Sequence, residues 1–355
     1  MDKYKKLAAN TIIFAIGSFG SKILSFLLIN LYTTHMSPDD YGNADLIIKL
    51  GNFLIPIFSL SIADAILRYG IDKDYSNSQV FTTGITTILF GSTILALLSP
   101  IFNLIPFLDG NGFLLYIFIY ASGFRAVCSQ FVRGKGQVKL FAFDGIFATL
   151  TMFIFNLIFL VGLDMGMKGY VLSLILSDIS STIFLMFAAN LPKYLNPRAL
   201  NKDIAKTMIR YSLPLIPTAL LWNITSLTDG LFVKYGVGDA ANGVYTAAYK
   251  IPNLIAMVST MFIQAWNMSA ISEHKEKGIE HFYTKVFSSY QSMMYLAGGA
   301  LLLIIKPLTN LLVGGEKFAG CYKFTPLLVL AVLMTCFSQF MSSVYSATQH
   351  TKNSF

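Results

Sequence analysis

Charged residues are scarce in this chain of 355 residues, at 12% of the composition, whereas 55% of the residues are hydrophobic. Soluble domains carry about a quarter charged residues. Half that fraction, over a chain of this length, excludes an ordinary soluble protein and indicates a polytopic membrane protein. Cysteine is scarce too. Cys128, Cys321 and Cys336 lie in or beside apolar runs, and their spacing provides no disulfide framework.

Sequence motifs for catalysis are also lacking. There is no GxxxxGK[ST] loop for a nucleotide, no Ser/His/Asp set and no pair of carboxylates arranged for hydrolysis or glycosyl transfer. The four histidines are scattered, and His274 and His281 have no HxxH or CxxC partner. We therefore predict that the protein is not an enzyme and has neither cofactor nor metal site.

What the chain has instead is long apolar segments. Windows of about 20 apolar residues predict ten membrane-spanning helices. The predicted spans are 8–31, 44–67, 80–98, 113–131, 140–162, 169–189, 211–233, 243–269, 284–305 and 322–346. The first apolar run is longer than the core of a signal peptide and has no small-residue cleavage site, so we expect a retained helix. The predicted fold class is an all-α polytopic membrane protein.

The basic residues predict the orientation of these helices. Seventeen Lys and Arg fall at the N-terminus, in the even-numbered connections or at Lys352, and five fall on the opposite side. Basic residues favour cytoplasmic loops, so we expect a cytoplasmic N-terminus. The net charge of +8 lies in short clusters between apolar runs, which argues for membrane orientation and against a nucleic-acid partner.

Two stretches 201 residues apart share a skeleton. Y-G-N-A-D-L-I-I-K-L-G-N-F (41–53) and N-G-V-Y-T-A-A-Y-K-I-P-N-L (242–254) align Gly42 with Gly243 and Lys49 with Lys250. Because six helices separate the copies, both have the same orientation, which predicts a parallel repeat about the membrane normal. We expect a six-helix lobe at 1–190, a cytoplasmic linker at 191–210 and a second lobe at 211–355. The second lobe has four helices, so we expect at least two to be missing.

Four basic residues fall within the predicted spans, together with five acidic ones. The basic residues are Lys22, Lys49, Arg125 and Lys250, and the acidic ones are Asp45, Asp64, Asp144, Asp178 and Asp229. An ionisable group at the middle of a bilayer costs at least ~2.5 kcal/mol, so each one needs a partner or a water-filled cavity.

The lysines leave two interpretations open. Lys22, midway through the first helix, faces either a cavity or a buried ion-pair partner. Lys49 and Lys250 lie a turn or two from the outer surface, where lysines often snorkel to the headgroups. The alternative, which the repeat favours, places both lysines beside one central cleft.

The arginine and the aspartates also allow alternatives. Arg125 and Asp144 have comparable predicted depths, which favours a structural ion pair over contact with a ligand. Asp178 has no partner evident in the sequence, so it is either a proton or sodium site or the partner of a lysine. Asp229 lies in the polar run W-N-I-T-S-L-T-D and is expected to line water.

Several lysines enclosed by apolar helices suit an anionic ligand with a lipid tail, since ammonium groups bind phosphates as point charges. Some aromatic and amide side chains have the chemistry to stack on sugars or hydrogen-bond to them, although an interfacial aromatic belt gives the same composition. These side chains are Trp222, Asn223, Tyr245, Tyr249, Gln264 and Trp266.

Five segments resemble bacterial polysaccharide-export flippases of the multidrug/oligosaccharidyl-lipid/polysaccharide exporter superfamily. They are G-S-F-G-S-K-I-L-S-F-L-L-I-N-L-Y-T-T (17–34), D-Y-G-N-A-D-L-I (40–47), R-Y-S-L-P-L-I-P (210–217), G-V-Y-T-A-A-Y-K-I-P (243–252) and F-I-Q-A-W-N-M-S-A-I-S-E (262–273). The resemblance implies two MATE-like lobes in the cytoplasmic membrane of a bacterium. It also implies alternating access through a cationic cavity.

The implied substrate is undecaprenyl-diphosphate-linked oligosaccharide, with membrane lipids, a polysaccharide polymerase and glycosyltransferases as partners. Lys22, Lys49 and Lys250 fall in the family-like segments. The chain departs from the family at Gly230, where relatives carry a basic residue. Two other hypotheses remain: a cation-coupled drug exporter of the same superfamily and a membrane scaffold for envelope assembly.

Overall fold

The structure, a computed structural model, describes residues 27–347 except 73, 103, 109, 274–278, 315 and 319, and its regular elements in these ranges are helical. The predicted all-α fold class is confirmed. The α-helices, numbered in chain order, are α1 (27–35), α2 (Pro38–Phe58), α3 (Ile62–Ile71), α4 (Asn77–Phe102), α5 (Gly112–Gly134), α6 (Val138–Asn156), α7 (Gly166–Ala188), α8 (Lys202–Ser212), α9 (Leu215–Gly236), α10 (Asp239–Lys250), α11 (Asn253–Glu273), α12 (Ile279–Leu303), α13 (Ile305–Leu312) and α14 (Thr325–Ala347).

Shorter helical pieces connect or extend these elements. A π-helical segment, Leu157–Gly162, continues α6. Its wider i→i+5 pairing extends into the following turn, where the Leu163 N–H donates to the Ile158 carbonyl at 3.0 Å. The 3₁₀ turns are Pro106–Leu108, Leu191–Tyr194, Pro197–Ala199, Glu316–Phe318 and Cys321–Lys323.

Several helices have the length and apolarity of membrane spans. Among the described residues, five qualify: α4, α5, α6 with its π-helical extension, α7 and α14. Two bent pairs, α2 with α3 and α12 with α13, raise the number to seven if each pair is one span. The predicted span 8–31 falls largely outside the described residues. The predicted spans 211–233 and 243–269 fall on α9 to α11, where polar runs such as 222–229 lower the apolarity.

The predicted span 44–67 is two helices and not one. Pro56 has no N–H to continue the hydrogen-bond ladder, and α2 ends two residues later at Phe58. Leu60 and Ser61 adopt left-handed backbone, with φ of 52° and 48°, and the Ser61 N–H donates to the Pro56 carbonyl at 3.1 Å. The chain then enters α3 at an angle of 58° to α2.

The predicted span 243–269 is likewise interrupted. α10 ends at Lys250 and α11 begins at Asn253, with Pro252 between them. Proline disfavours helical backbone at the residue before it, here Ile251. The prediction of one span was wrong because it used the apolar run, which continues through Pro252, whereas the helical hydrogen bonding is interrupted there.

The first compact unit comprises residues 1–243. In it α7 packs against α5 and α6, α3 packs against α5, and α2 packs against α9. A cluster of buried side chains from α3, α4, α5, α7 and α8 forms a core, in which the Phe81 and Phe131 ring centroids are 4.7 Å apart. Lipid tails are as apolar as such a core, so close packing and not burial from water holds the helices together.

The second compact unit comprises residues 244–355. Its described helices α11, α12 and α14 pack around an aromatic core. Phe340 stacks between Trp266 and Tyr290, with centroid distances of 5.1 and 5.2 Å. The Trp266 indole N–H donates to Ser343 Oγ at 3.0 Å, and Tyr290 Oη lies 2.6 Å from Ser259 Oγ. Each buried polar group in this core therefore has a partner.

A glycine permits the tightest contact between α2 and α4. An ideal Cβ built on Gly91 would lie 1.7 Å from the Phe58 carbonyl oxygen, so only glycine fits there without moving the backbone.

We predict that Gly91→Ala lowers the stability of the protein by about 1–3 kcal/mol, because overpacking forces α2 and α4 apart. Thermal unfolding of the purified protein in detergent measures the effect. Gly299→Ala in α12 is the control, since nothing lies within 4 Å of a Cβ built there. Equal melting temperatures for the two variants would contradict the prediction.

Candidate functional site

A cluster of charged and hydroxyl side chains lies where α5, α6 and α7 meet. Arg125 Nη1 is 2.9 Å from Asp178 Oδ1, and its Nη2 is 3.6 Å from Asp144 Oδ2. Its Nε donates to Ser181 Oγ at 3.0 Å. Ser181 in turn donates to Asp144, and Ser122 donates to Asp178. The structure thus brings together three of the predicted site residues, Arg125, Asp144 and Asp178. With Ser122 and Ser181 they form a group that we call the Arg125 cluster.

Helical spacing explains how the members meet. Ser122 and Arg125 are three residues apart on α5, and Asp178 and Ser181 are three apart on α7, so each pair shares a helix face. Asp144 on α6 completes the cluster from the third side. The pairing of Asp178 with Arg125 was not evident in the sequence. The equal spacing of Ser122 and Arg125 on α5 and of Asp178 and Ser181 on α7 is a pattern that could have indicated it.

The charges of the Arg125 cluster do not balance. When both aspartates are ionised, two negative charges face one guanidinium. The Asp144 side chain is 1% exposed, whereas that of Arg125 is 30% exposed, so the cluster opens on the arginine side. Buried charges require such partners, because removing one leaves an uncompensated ion. The formal charge of the cluster is then −1, which one proton or one monovalent cation would neutralise.

The second group of site residues surrounds Lys49. Its Nζ lies 2.7 Å from Asp45 Oδ2, one helical turn earlier on α2, and both side chains are largely buried. A Cβ built on Gly230 of α9 would lie 3.4 Å from that ammonium and 2.9 Å from Leu46 Cδ2. Gly230 therefore lets α9 approach α2 closely beside the Lys49 ammonium. A basic side chain at 230 would bring a second cation against the first.

The two glycines that the 201-residue offset aligns are in contact. A Cβ on Gly42 would lie 2.7 Å from the Gly243 nitrogen, and a Cβ on Gly243 would lie 1.9 Å from the Pro38 carbonyl oxygen. The Asn242 amide donates to the Gly42 carbonyl at 3.0 Å. The starts of α2 and α10 thus meet backbone to backbone, a contact that we call the glycine contact.

An ion pair lies beside the glycine contact. Lys234 Nζ donates to Asp239 Oδ2 and to Asn43 Oδ1, each at 2.7 Å. The Lys234 side chain is 8% exposed, so its charge is neutralised within the protein. This group ties the end of α9 and the start of α10 to α2.

The remaining predicted site residues are spread over several places. Trp222 and Asp229, seven residues apart on α9, share a face and are both exposed. Asn223 shares the face of Gly230, and its amide donates to the Ala219 carbonyl at 2.8 Å. Lys250 is half-buried at the end of α10. Lys22 lies outside the described residues.

Other predicted sugar contacts have structural roles or are not described. Trp266 is buried in the aromatic core, so it is not available to stack on a sugar. Tyr245 and Tyr249 have their ring centroids 6.0 Å apart on one face of α10. Within the described ranges, no group of three or more His, Cys, Asp or Glu side chains is placed to hold a metal ion.

Solved structures with a similar fold are membrane transporters. An inward-facing multidrug resistance MATE family transporter of the MOP superfamily has a TM-score of 0.73 at 16% identity, covering 97% of this chain and 86% of its own. An outward-facing multidrug resistance MATE family transporter of the MOP superfamily has a TM-score of 0.65 at 17% identity, covering 100% of this chain and 84% of its own. A MOP superfamily transporter from Pyrococcus furiosus, described as having a binding pocket of reverse polarity, has a TM-score of 0.66 at 17% identity, covering 100% and 84%.

Fold and apolar helices together define a multi-pass membrane protein with the fold of MOP superfamily transporters. Residues 7–267 match the model of a family described as polysaccharide biosynthesis protein. The chain therefore belongs to that family, and the superfamily predicted from the sequence is confirmed. Among curated proteins, none matches the chain.

The Arg125 cluster generates a prediction about stability. Arg125→Gln leaves two carboxylates without their cation, so we expect a loss of about 3 kcal/mol, near the low end for a buried pair because Arg125 is partly exposed. Arg125→Gln/Asp178→Asn is expected to cost less than the sum of the single changes. Chemical unfolding of the purified variants measures both quantities.

Arg133→Gln provides the control, since Arg133 is an exposed arginine on the same helix. We expect it to change stability by less than about 0.5 kcal/mol. Additive effects of the two cluster substitutions would show that Arg125 and Asp178 are not coupled.

Proposed function

We propose that the protein is a flippase that moves undecaprenyl-diphosphate-linked oligosaccharide across the bacterial cytoplasmic membrane for polysaccharide biosynthesis. Its N-terminus is cytoplasmic, and the oligosaccharide passes from the inner to the outer leaflet by alternating access. The family match over residues 7–267 supports the biosynthetic role, and the transporter fold supports translocation. A polysaccharide polymerase and glycosyltransferases are the expected partners.

The observation that carries the proposal is the position of Lys49. Its ammonium lies where α2 and α9 approach each other at Gly230, and it is 2.7 Å from Asp45 Oδ2. A diphosphate entering this region competes with Asp45 for the same cation. The proposal also assigns Lys22 and Lys250 to binding of the substrate, and Trp222 and Asn223 to contacts with the sugars.

Access from the outer side is controlled by the glycine contact. In our proposal α2 belongs to the first lobe, and α9 and α10 belong to the second. The glycine contact and the Lys234 group therefore join the two lobes near their outer ends. In a two-fold repeat, equivalent residues touch each other only close to the two-fold axis. The contact between Gly42 and Gly243, which the 201-residue offset aligns, therefore supports the proposal that the two lobes meet here. Opening requires the glycines to separate and the Lys234–Asn43 hydrogen bond to break.

The Arg125 cluster couples transport to an ion in this proposal. Its excess negative charge takes up one proton or one sodium ion, and Asp144 and Asp178 are the groups that accept it. Asp229, exposed on α9, is a second candidate for ion coupling. An ion gradient or the membrane potential then supplies the energy that a nucleotide site supplies in other transporters.

The first functional prediction tests substrate binding. We expect Lys49→Gln and Lys250→Gln each to weaken binding of undecaprenyl-diphosphate-linked oligosaccharide, because an ammonium 4 Å from a phosphate contributes about 4 kcal/mol at an effective dielectric of 20. If the two lysines share the diphosphate, the double variant shows coupling in a double-mutant cycle. Binding to the purified proteins and flipping in proteoliposomes are measured together.

Lys306→Gln is the matched control, since Lys306 is an exposed lysine in the first turn of α13. Binding without flipping by the unsubstituted protein would indicate a membrane scaffold. Transport of cationic drugs without binding of the lipid-linked oligosaccharide would indicate a drug exporter. Strictly additive effects would show that the two lysines do not share the diphosphate.

The second functional prediction tests the glycine contact. Gly243→Ala places a methyl group 1.9 Å from the Pro38 carbonyl oxygen, so the outer side is expected to stay open. We expect flipping to fall at least tenfold, while a cysteine introduced at Asn43 gains reactivity towards a membrane-impermeant thiol reagent.

Gly236→Ala serves as the comparison, because a Cβ there has no neighbour within 4 Å. It is expected to retain flipping and the low reactivity at position 43. Unchanged reactivity in Gly243→Ala, at matched protein levels, would refute the gate.

A further inference from the structure

Helix α8, in the polar segment between α7 and α9, is held against the protein by its apolar side. Met208 is fully buried, and Ile204 and Ile209 pack against the core of the first unit. The Asn201 side chain caps the helix by accepting hydrogen bonds from the N–H groups of Asp203 and Ile204. The apolar face is therefore covered by protein, which fixes the direction of the opposite face.

The segment before α8 is fixed in a similar way. The Tyr194 carbonyl accepts hydrogen bonds from the hydroxyls of Ser78 (2.8 Å) and Thr82 (3.1 Å) on α4. Lys135 at the end of α5 donates to the Tyr194 hydroxyl at 2.7 Å, which lowers the pKa of that phenol. The connection is thus anchored to two spanning helices before α8 begins.

The outward side of α8 carries a stripe of positive charge. Lys202, Lys206 and Arg210 follow one another at intervals of four residues, so they lie on one face, and all three are exposed. In the part of the chain that the structure describes, none of the three forms an ion pair. Residues 191–212 contain five basic residues and one acidic residue, Asp203. Like charges four residues apart repel, so the stripe lowers helix stability unless an anion faces it.

Neighbouring tyrosines mark the level of the stripe relative to the membrane. Tyr211 follows Arg210, and its ring centroid lies 5.8 Å from the ring centroid of Tyr69, near the end of α3. The Tyr69 ring centroid is in turn 4.9 Å from the ring centroid of Tyr75. Exposed Leu213 comes next, and the chain then enters α9. Clustered tyrosines beside an apolar helix entry are typical of the headgroup layer.

We infer that the α8 stripe, formed by Lys202, Lys206 and Arg210, binds the phosphates of anionic phospholipid headgroups. The helix presents three cations at the level of the headgroups, and its own protein provides no counter-charge among the described residues. Anionic lipids supply that charge, and their binding stabilises α8 and the start of α9. The inference requires only that the protein spans a membrane and is independent of the substrate that it transports.

The test compares the full chain in phosphatidylcholine nanodiscs with the full chain in nanodiscs that also contain phosphatidylglycerol. We expect phosphatidylglycerol to raise the melting temperature of the unsubstituted protein. Lys202→Gln/Lys206→Gln/Arg210→Gln is expected to lose most of that shift. In native mass spectrometry we expect retention of phosphatidylglycerol to weaken about fivefold for each charge removed.

Two further variants make the result specific. Lys168→Gln/Lys317→Gln/Lys323→Gln removes the same charge from three other exposed lysines and is expected to keep the shift. Lys202→Arg/Lys206→Arg/Arg210→Lys retains the charge and is also expected to keep the shift in melting temperature. An equal loss in the control triple variant, or a full shift in the stripe variant, would overturn the inference. So would an equal stabilisation by inorganic phosphate, since that would indicate a site for a free anion.

Discussion

A charged side chain in a membrane-spanning helix has no water around it, and the first unit is arranged around this constraint. The cost of at least ~2.5 kcal/mol for each ion has to be offset by partners within the protein. Arg125 meets two aspartates and two serines from three helices, and Lys49 meets Asp45 one turn away on the same helix. Helices that carry such groups have to stay in register, so the polar contacts determine how α5, α6 and α7 pack.

Glycine is the second factor in this packing, because lipid provides no hydrophobic force to press helices together. Gly91 lets the end of α2 lie directly on α4, and Gly230 lets α9 approach Lys49. The two effects are linked at α2. Its middle holds the Lys49–Asp45 ion pair, and a Cβ at the facing position 230 of α9 would crowd the neighbouring Leu46 side chain. Glycine at position 230 therefore has a steric explanation in this chain.

The sequence was sufficient to predict the all-α class, the superfamily and the five spans that the structure shows as single apolar helices, because these depend on composition and local motifs. It failed at Ser59–Ser61 and at Pro252, where backbone geometry interrupts an apolar run that hydropathy treats as continuous. The partner of Asp178 was also missed, since Arg125 is 53 residues away and meets it only when α5 and α7 pack. Lys22 and the pairing of Lys49 with Lys250 stay predictions.

The glycine contact between α2 and α10 also bears on how fast the protein can move. Two backbones that meet without interlocking side chains separate without any rotamer change at the contact. The hydrogen bond from the Asn242 amide to the Gly42 carbonyl and the bond from Lys234 to Asn43 help to hold this contact. The net contribution is about 0.5–1.5 kcal/mol for the neutral bond and about 1.5–3 kcal/mol for the bond from the ammonium. If this contact is the gate that we propose, close backbone packing and a small number of hydrogen bonds keep it closed.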